Sequence, residues 1–132
     1  MSGPATFIEP YGQGHQGGKY EPRRYRVVYP RCVLRGGDHM RQGDTVTAFV
    51  DRDYSPPVRP GIGFHEFVED HFQHPHYVNG VLKPKLPYHQ AHLLASKAEK
   101  QYSGARLYNR GLRETQAVIA QNRRQMRVRR GL

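Results

Sequence analysis

The residues best suited to chemistry lie in one stretch, HEFVEDHFQHPHYVNG, which runs from His65 to Gly80. It holds four histidines and three carboxylates within sixteen residues. Imidazole and carboxylate groups that lie together can bind a divalent metal or exchange protons near neutral pH. Their spacing along the chain is the first test of whether they meet.

The spacing excludes the HExxH motif of zinc proteases, which needs histidines at i and i+4 on one helix face. Glu69 occupies the i+4 position after His65, and the next histidine is His71 at i+6. On a helix these two histidines are about 600° apart, which leaves them about 120° apart around the axis, so they do not share one face. A second possible ligand set fits no metal motif; it consists of His71, His74 and His76 with Glu69 or Asp70.

No activated nucleophile or phosphate-binding loop accompanies these groups. The sequence therefore predicts no catalytic residue, no metal site and no cofactor. The stretch is interpreted as an acidic connector whose phenylalanines dock and whose histidines and acids stay in water. His89 and His92 are interpreted as surface residues near a helix start. Cys32 is the only cysteine, which excludes an intramolecular disulfide and a cysteine-based zinc site.

The charge of the chain indicates a polyanionic partner. The formal net charge is +10, the pI is about 10.1, and 16 of the 21 basic residues are arginine. Guanidinium groups bind phosphate bidentately and stack on bases, which favours RNA. A genome that prefers arginine codons would produce the same excess without any such function.

The basic residues concentrate at the C-terminal end. From Lys97 to Leu132 there are ten basic residues and two acidic ones. Neutralising phosphates with such a segment releases counterions and gives salt-sensitive RNA binding. A solvated basic face, an acidic protein partner or a lipid surface would explain the same pattern. A second basic patch, interleaved with tyrosines, begins near Lys19; an ordinary edge strand is the alternative there. The predicted RNA-binding residues are Arg23, Arg24, Arg26, Arg106, Arg110, Arg113, Arg123, Arg124, Arg127, Arg129 and Arg130.

Four segments are expected to position these residues. Residues 1–22 are read as an extended arm, and residues 23–50 as a β-hairpin region in which 23–35 pairs antiparallel with the alternating strand 45–50. Residues 51–87 form a proline-rich connector with a short helix. Residues 88–132 form a long basic helix and an arginine-rich tail, with a possible kink or break at Gly104 or Gly111. The predicted fold class is α+β, mostly irregular or extended.

The last segment carries residues at 3/4 spacing, which predicts one helix face that is small and apolar at first and polar later. This face runs through Ala91, Ala95, Ala98, Tyr102, Ala105, Asn109, Leu112, Gln116, Ile119, Arg123 and Met126.

One short stretch, RQGDTVTAFV at 41–50, resembles the Gly-Asp turn and following strand of small RNA-binding β-barrels in ribosomal proteins. The resemblance covers about ten residues. It implies contact with RNA through a small β-structure.

These observations predict a non-catalytic structural subunit of a large ribonucleoprotein, most plausibly a mitochondrial ribosomal protein that clamps and neutralises rRNA. Its partners would be rRNA and several protein neighbours, and the chain would not be a free monomer. The alternative is a matrix-side accessory subunit of a respiratory-chain or ATP-synthase complex, with the tail on acidic protein or anionic lipid. Both interpretations place the protein on the matrix side of the mitochondrion.

Overall fold

The computed structural model describes the backbone of residues 22–130 and the side chains of residues 22–127. The arm expected at 1–22 lies outside the described residues except for Pro22. The elements, in chain order, are β1 (Arg24–Val28), β2 (Gly37–Gln42), β3 (Thr45–Val50), α1 (Arg59–Phe72), β4 (His76–Val78), β5 (Val81–Lys83), α2 (Tyr88–Ser103) and α3 (Ala105–Arg130). The predicted α+β class, with a β portion followed by a long C-terminal helix, is confirmed.

The main sheet has three strands in the order β1-β3-β2, with β3 in the centre. β3 is the alternating strand predicted at 45–50, and Val46, Ala48 and Val50 are fully buried on it. The pairing predicted for its neighbour is wrong, because β1 runs parallel to β3. The hairpin within 23–50 is formed by β2 and β3 instead. Its two-residue turn is Gly43-Asp44, where Gly43 has φ +61°, a value that glycine adopts without strain.

Strand β2 is not apparent from the sequence, because its residues, GDHMRQ, are mostly polar. Its burial alternates along the strand, and His39 and Arg41 are on the side that is partly buried. These two side chains face carboxylates on α1 rather than an apolar core. The strand is therefore held by polar contacts that only the folded chain supplies.

Helix α1 is the centre of the domain, since it packs against β2 and β3 on one side and α2 on the other. Every residue from 61 to 72 is buried. Phe64, Phe67 and Val68 join the main hydrophobic core. The expectation that this stretch is a connector with solvated histidines and acids is therefore wrong. A helix enclosed on several sides must bury its polar residues too, and each of them then needs a partner.

Helix α2 packs closely on α1 through small residues. Ala91, Ala95 and Ala98 are 0–1% exposed, as the 3/4 spacing predicted for them. The close approach continues at the end of the helix, where a Cβ on Gly61 would collide with the Ser103 hydroxyl. This packing sets the distance between the polar side chains that the two helices carry.

The long C-terminal helix is broken at Gly104, which has φ +85° and separates α2 from α3. The α3 part of the predicted face, which was expected to become polar, is exposed or partly buried. Leu112, which belongs to the predicted face, is 49% exposed. The buried face of α3 instead carries Gly111, Val118 and Asn122. Gly111 is internal to the helix and lies against Val58.

A second, two-stranded sheet joins α1 to α2. Val78 of β4 pairs with Val81 of β5 around the turn Asn79-Gly80, and both turn residues have positive φ. Asn-Gly is the preferred pair for such a hairpin turn. Among the described residues, no helix combines the length and the apolar character that crossing a bilayer would need.

Candidate metal centre

A cavity of about 710 Å³ lies between β2 and the three helices. Three histidines and three glutamates line it, together with Tyr54 and other side chains. The six are His39, His65, Glu66, Glu69, His92 and Glu99. Asp38 brings the carboxylates lining the cavity to four, against the two arginines Arg35 and Arg123, and this local excess of acid contrasts with the strongly basic chain as a whole.

Helical spacing brings these groups together from two elements. His65 and Glu69 are four residues apart on α1, so they project from the same face. His92 and Glu99 are seven residues apart, two turns along one face of α2. The close packing of α1 on α2 then places the two faces opposite each other.

Three donor atoms converge at the centre of the cluster. Glu69 Oε2 lies 2.9 Å from His65 Nε2 and 2.7 Å from His92 Nδ1, and the two nitrogens are 3.2 Å apart. With metal bonds of about 2.0–2.2 Å, neighbouring ligand atoms are about 3.3–3.6 Å apart in tetrahedral geometry and about 2.8–3.1 Å apart at the right angles of octahedral geometry, so the observed separations are close to the octahedral values. Two imidazole nitrogens and one carboxylate oxygen in this arrangement form a recognised ligand set for iron and zinc. We call these three residues the triad.

Glu99 forms a hydrogen bond with His65 on the side of the ring that faces away from Glu69. Its Oε1 accepts a hydrogen bond of 2.9 Å from His65 Nδ1, the ring nitrogen that points away from Glu69. Metal-binding histidines usually donate their second N–H to a carboxylate or carbonyl, which fixes the ring and makes the ligand nitrogen more basic. Glu99 is buried, so this contact is shielded from water.

We compared the chain with protein-family models, with curated proteins and with solved structures. It matches none of them.

The electrostatics of the triad reflect the two carboxylates around His65. Burial acts to lower the pKa of His65, but the hydrogen bonds from its ring to Glu69 and Glu99 overcome burial and raise the pKa to about 10. Burial acts to raise the pKa of Glu69, but hydrogen bonds from His65 and His92 outweigh it and hold this pKa below its usual value. The triad without a metal therefore pairs a firmly ionised Glu69 with a protonated His65 ring, and a metal ion would have to displace the Nε2 proton of His65.

A second group lies beside the triad, where β2 meets α1. His39 Nδ1 is 2.8 Å from Glu66 Oε1 and 3.8 Å from Glu69 Oε1. Burial raises the pKa of Glu66, against the hydrogen bond from His39. Burial acts to lower the pKa of His39, but the hydrogen bond to Glu66 outweighs burial. The pKa of His39 is therefore raised above its usual value. Asp38, His39 and Glu66 each offer a ligand atom within 4.8 Å of the others.

The second set of ligands considered from sequence does not assemble. The His71 and His76 rings are 5.0 Å apart and pack against Phe72. His74 Nδ1 donates to the backbone oxygen of Asp70 at 2.8 Å. Among the described residues, the groups with metal-ligand geometry are the triad and the Asp38-His39-Glu66 group.

Sequence reasoning missed the triad because it searched one stretch for all the ligands. His92, interpreted as a surface residue, is in contact with Glu69 although its side chain is 44% exposed. The available signals were the i, i+4 pair His65/Glu69 and the i, i+7 pair His92/Glu99. Each is common in any helix, and only the packing of α1 on α2 shows that the two pairs meet.

The predicted RNA-binding arginines lie on the surface, and one of them, Arg123, also lines the cavity. All nine whose side chains are described are exposed, on or next to β1 and on α3. Arg110 also makes an i, i+4 ion pair of 2.9 Å with Glu114. The side chains of Arg129 and Arg130 lie outside the described residues. None of the eleven is among the charged groups of the triad.

Proposed function

We propose that the protein binds a divalent transition-metal ion, such as Zn²⁺ or Fe²⁺, through His65 Nε2, Glu69 Oε2 and His92 Nδ1. The observation that carries this proposal is the convergence of the three donor atoms within 2.7–3.2 Å of one another. Glu99 supplies the outer hydrogen bond that such a histidine ligand uses.

The surroundings of the triad favour a ligand over a purely structural ion-pair cluster. Removing an ion from water costs several kcal/mol even after relaxation, and apolar packing often stabilises a fold equally well. Here the charged groups line a cavity instead of filling a packed core. Buried ionisable groups with displaced pKa values in a cleft are typical of functional sites.

Three protein ligands leave coordination positions for water or a bound molecule, as in catalytic metal sites, whereas structural zinc sites use four protein ligands. His92 is the solvent-facing member of the triad. An ion held there would polarise a bound oxygen atom or activate water. The expectation of a non-catalytic chain without a metal rests on sequence spacing alone and remains a competing prediction.

The test is metal binding by the full chain, with matched histidine variants of α2. After treatment with chelator and dialysis, Zn²⁺ is titrated into wild type, His92→Gln and His89→Gln by calorimetry. His89 is exposed on the same helix and lines no part of the cavity. Wild type and His89→Gln should bind tightly, and His92→Gln should lose more than the roughly 10–100-fold that removal of an outer partner costs. Equal binding by the two variants, or no binding by wild type, contradicts the proposal.

A second candidate function is RNA contact within a ribonucleoprotein, with a mitochondrial ribosome as the specific assembly proposed. The exposure of all nine described arginines of the predicted set supports it, because side chains buried in the domain could not reach phosphate. Arg124 and Arg127 lie on the exposed side of α3, near the end of the helix. This surface function and the metal site are compatible, since they use different residues.

The RNA proposal is tested with the full chain, structured RNA and anionic vesicles at several salt concentrations. Arg124→Gln with Arg127→Gln is compared with Lys83→Gln with Lys85→Gln, which removes equal charge from exposed positions around β5. If α3 contacts RNA, only the arginine variant should lower the slope of log affinity against log salt, by about 0.9 for each lost phosphate contact. Binding to vesicles but not RNA would instead support the alternative of a membrane-complex accessory subunit.

A further inference from the structure

The group Asp38, His39 and Glu66 adjoins the triad, because His39 lies near Glu69, a residue of the triad. His39 Nδ1 is 2.8 Å from Glu66 Oε1, and the backbone N–H of His39 donates to Asp38 Oδ1 at 2.8 Å. Asp38 is exposed, His39 is partly buried and Glu66 is buried, so the group runs from the surface into the cavity. Two carboxylates and one imidazole are suitable ligands for a divalent cation.

Glu69 faces both groups with different oxygens. Its Oε2 contacts His65 and His92, while its Oε1 is 3.8 Å from His39 Nδ1. A carboxylate that presents one oxygen to each of two ligand sets is placed to bridge two cations. Two-metal sites in proteins have their ions about 3.5–4 Å apart.

The backbone of β2 favours this closeness. Gly37 precedes Asp38, and a Cβ at Gly37 would lie 2.8 Å from Glu66 Oε2. Any larger residue would push the Glu66 carboxylate away from the strand. The absence of a side chain at this position lets the carboxylate of α1 approach β2 and reach His39.

We propose that the cavity holds a pair of divalent cations, one on the triad and one on Asp38, His39 and Glu66, with Glu69 bridging them. This inference rests on the proposed function, because it adds a second ion to the same centre. The bridging carboxylate would make binding of the two ions interdependent, since each ion orients the oxygen pair that the other needs.

The test is the stoichiometry of Mn²⁺ and Zn²⁺ bound to the full chain. Wild type should bind two equivalents, His39→Gln one, and the double variant His39→Gln/His92→Gln none. Asp38→Asn changes an exposed residue, so it weakens the second ion without endangering the fold and serves as an independent variant. Circular dichroism and thermal unfolding confirm that each variant is folded.

Electron paramagnetic resonance of the Mn²⁺-loaded protein separates a bridged pair from two isolated ions. A spectrum with magnetic coupling between the ions is expected for wild type, and an uncoupled single-ion spectrum for His39→Gln. One equivalent in wild type that is lost in His92→Gln and unchanged in His39→Gln overturns the pair and leaves the proposed function standing. No binding by wild type overturns both. Two equivalents without coupling overturn the bridging role of Glu69.

Discussion

At the scale of single residues, Tyr54 shows how strongly the fold changes the chemistry of one side chain. Its ring is 2% exposed, and its hydroxyl is 2.7 Å from the Thr115 hydroxyl of α3. Burial raises the pKa of Tyr54 to about 12, against the opposing effect of the hydrogen bond to Thr115. A Cβ on Gly36 would collide with this hydroxyl, so the ring also depends on a glycine at φ +88°.

The displaced pKa of Tyr54 predicts a specific loss of stability in alkali. Between pH 10 and pH 12 the unfolded chain releases the phenol proton while the folded protein keeps it. The stabilising contribution is therefore complete below pH 10 and is lost as the pH rises towards 12, by up to about 2–3 kcal/mol. Urea unfolding at pH 8–12 should show a steeper loss for wild type than for Tyr54→Phe.

The exposed Tyr29 provides the control for this measurement. Tyr29→Phe should retain the steep dependence of wild type, since no comparable burial acts on its hydroxyl. If Tyr54→Phe and wild type lose stability in parallel over this range, the buried phenol does not govern the alkaline transition.

At the scale of elements, β2 is joined to α1 by two polar contacts in matching register. His39 reaches Glu66, and Arg41 reaches Asp70. Residues i and i+2 of a strand are about 6.6–6.8 Å apart. Residues i and i+4 of a helix are about 6 Å apart along the helix axis. The spacing of His39 and Arg41 on β2 therefore nearly equals the spacing of Glu66 and Asp70 on α1. The same helix supplies His65 and Glu69 to the opposite neighbour, α2, and its polar residues therefore serve two interfaces.

The Arg41–Asp70 contact should be a main support of this docking. Arg41 Nε and Nη2 donate to Asp70 Oδ2 at 3.0 and 2.6 Å, and Asp70 is 1% exposed. Arg41→Met leaves a buried carboxylate without its cation, which should lower the free energy of unfolding by about 3–5 kcal/mol. Adding Asp70→Leu should recover much of the loss, since an apolar pair of similar volume is often tolerated.

Chemical denaturation of the single and double variants measures both effects. Arg24→Gln, on the exposed side of β1, is the control and should change stability by less than about 0.5 kcal/mol. A loss below about 1 kcal/mol for Arg41→Met would show that β2 is held mainly by its backbone pairing with β3.

At the scale of the whole molecule, the proposed metal links the elements that enclose the cavity. The triad uses α1 and α2, and the proposed second ion adds β2. These elements are separated in sequence, so the ligand set exists only in the folded chain. An ion that binds the folded state alone stabilises it by mass action, by about 2.7 kcal/mol at a concentration 100 times the dissociation constant.

Thermal unfolding of the full chain should therefore shift upward with Zn²⁺ and return to its original midpoint with excess chelator. His89→Gln should show the same shift as wild type, and His92→Gln should show little or none. A shift of equal size in all three proteins would indicate binding at sites other than the cavity.

The sequence alone was sufficient for the α+β class, the strand at 45–50, the alanine face of α2 and the possibility of a break at Gly104. These features depend on local patterns, since alternation, helical spacing and glycine act within a few residues. It was not sufficient for β2, whose polar residues are stabilised by distant carboxylates, or for the buried face of α3, where Val118 packs against residues far away in the sequence. The exposed arginines follow from composition, because so many charges cannot be buried.

The stretch from His65 to Phe72 shows the limit of what the sequence alone can predict about the ligand set. Its residue types were sufficient to suggest chemistry, and its own spacing was sufficient to exclude a zinc-protease helix. Only the tertiary structure showed that His65 and Glu69 face His92 and Glu99 from another helix. The physical reason is that a ligand set is defined by distances of about 3 Å between atoms, and packing decides these distances for residues far apart in the chain.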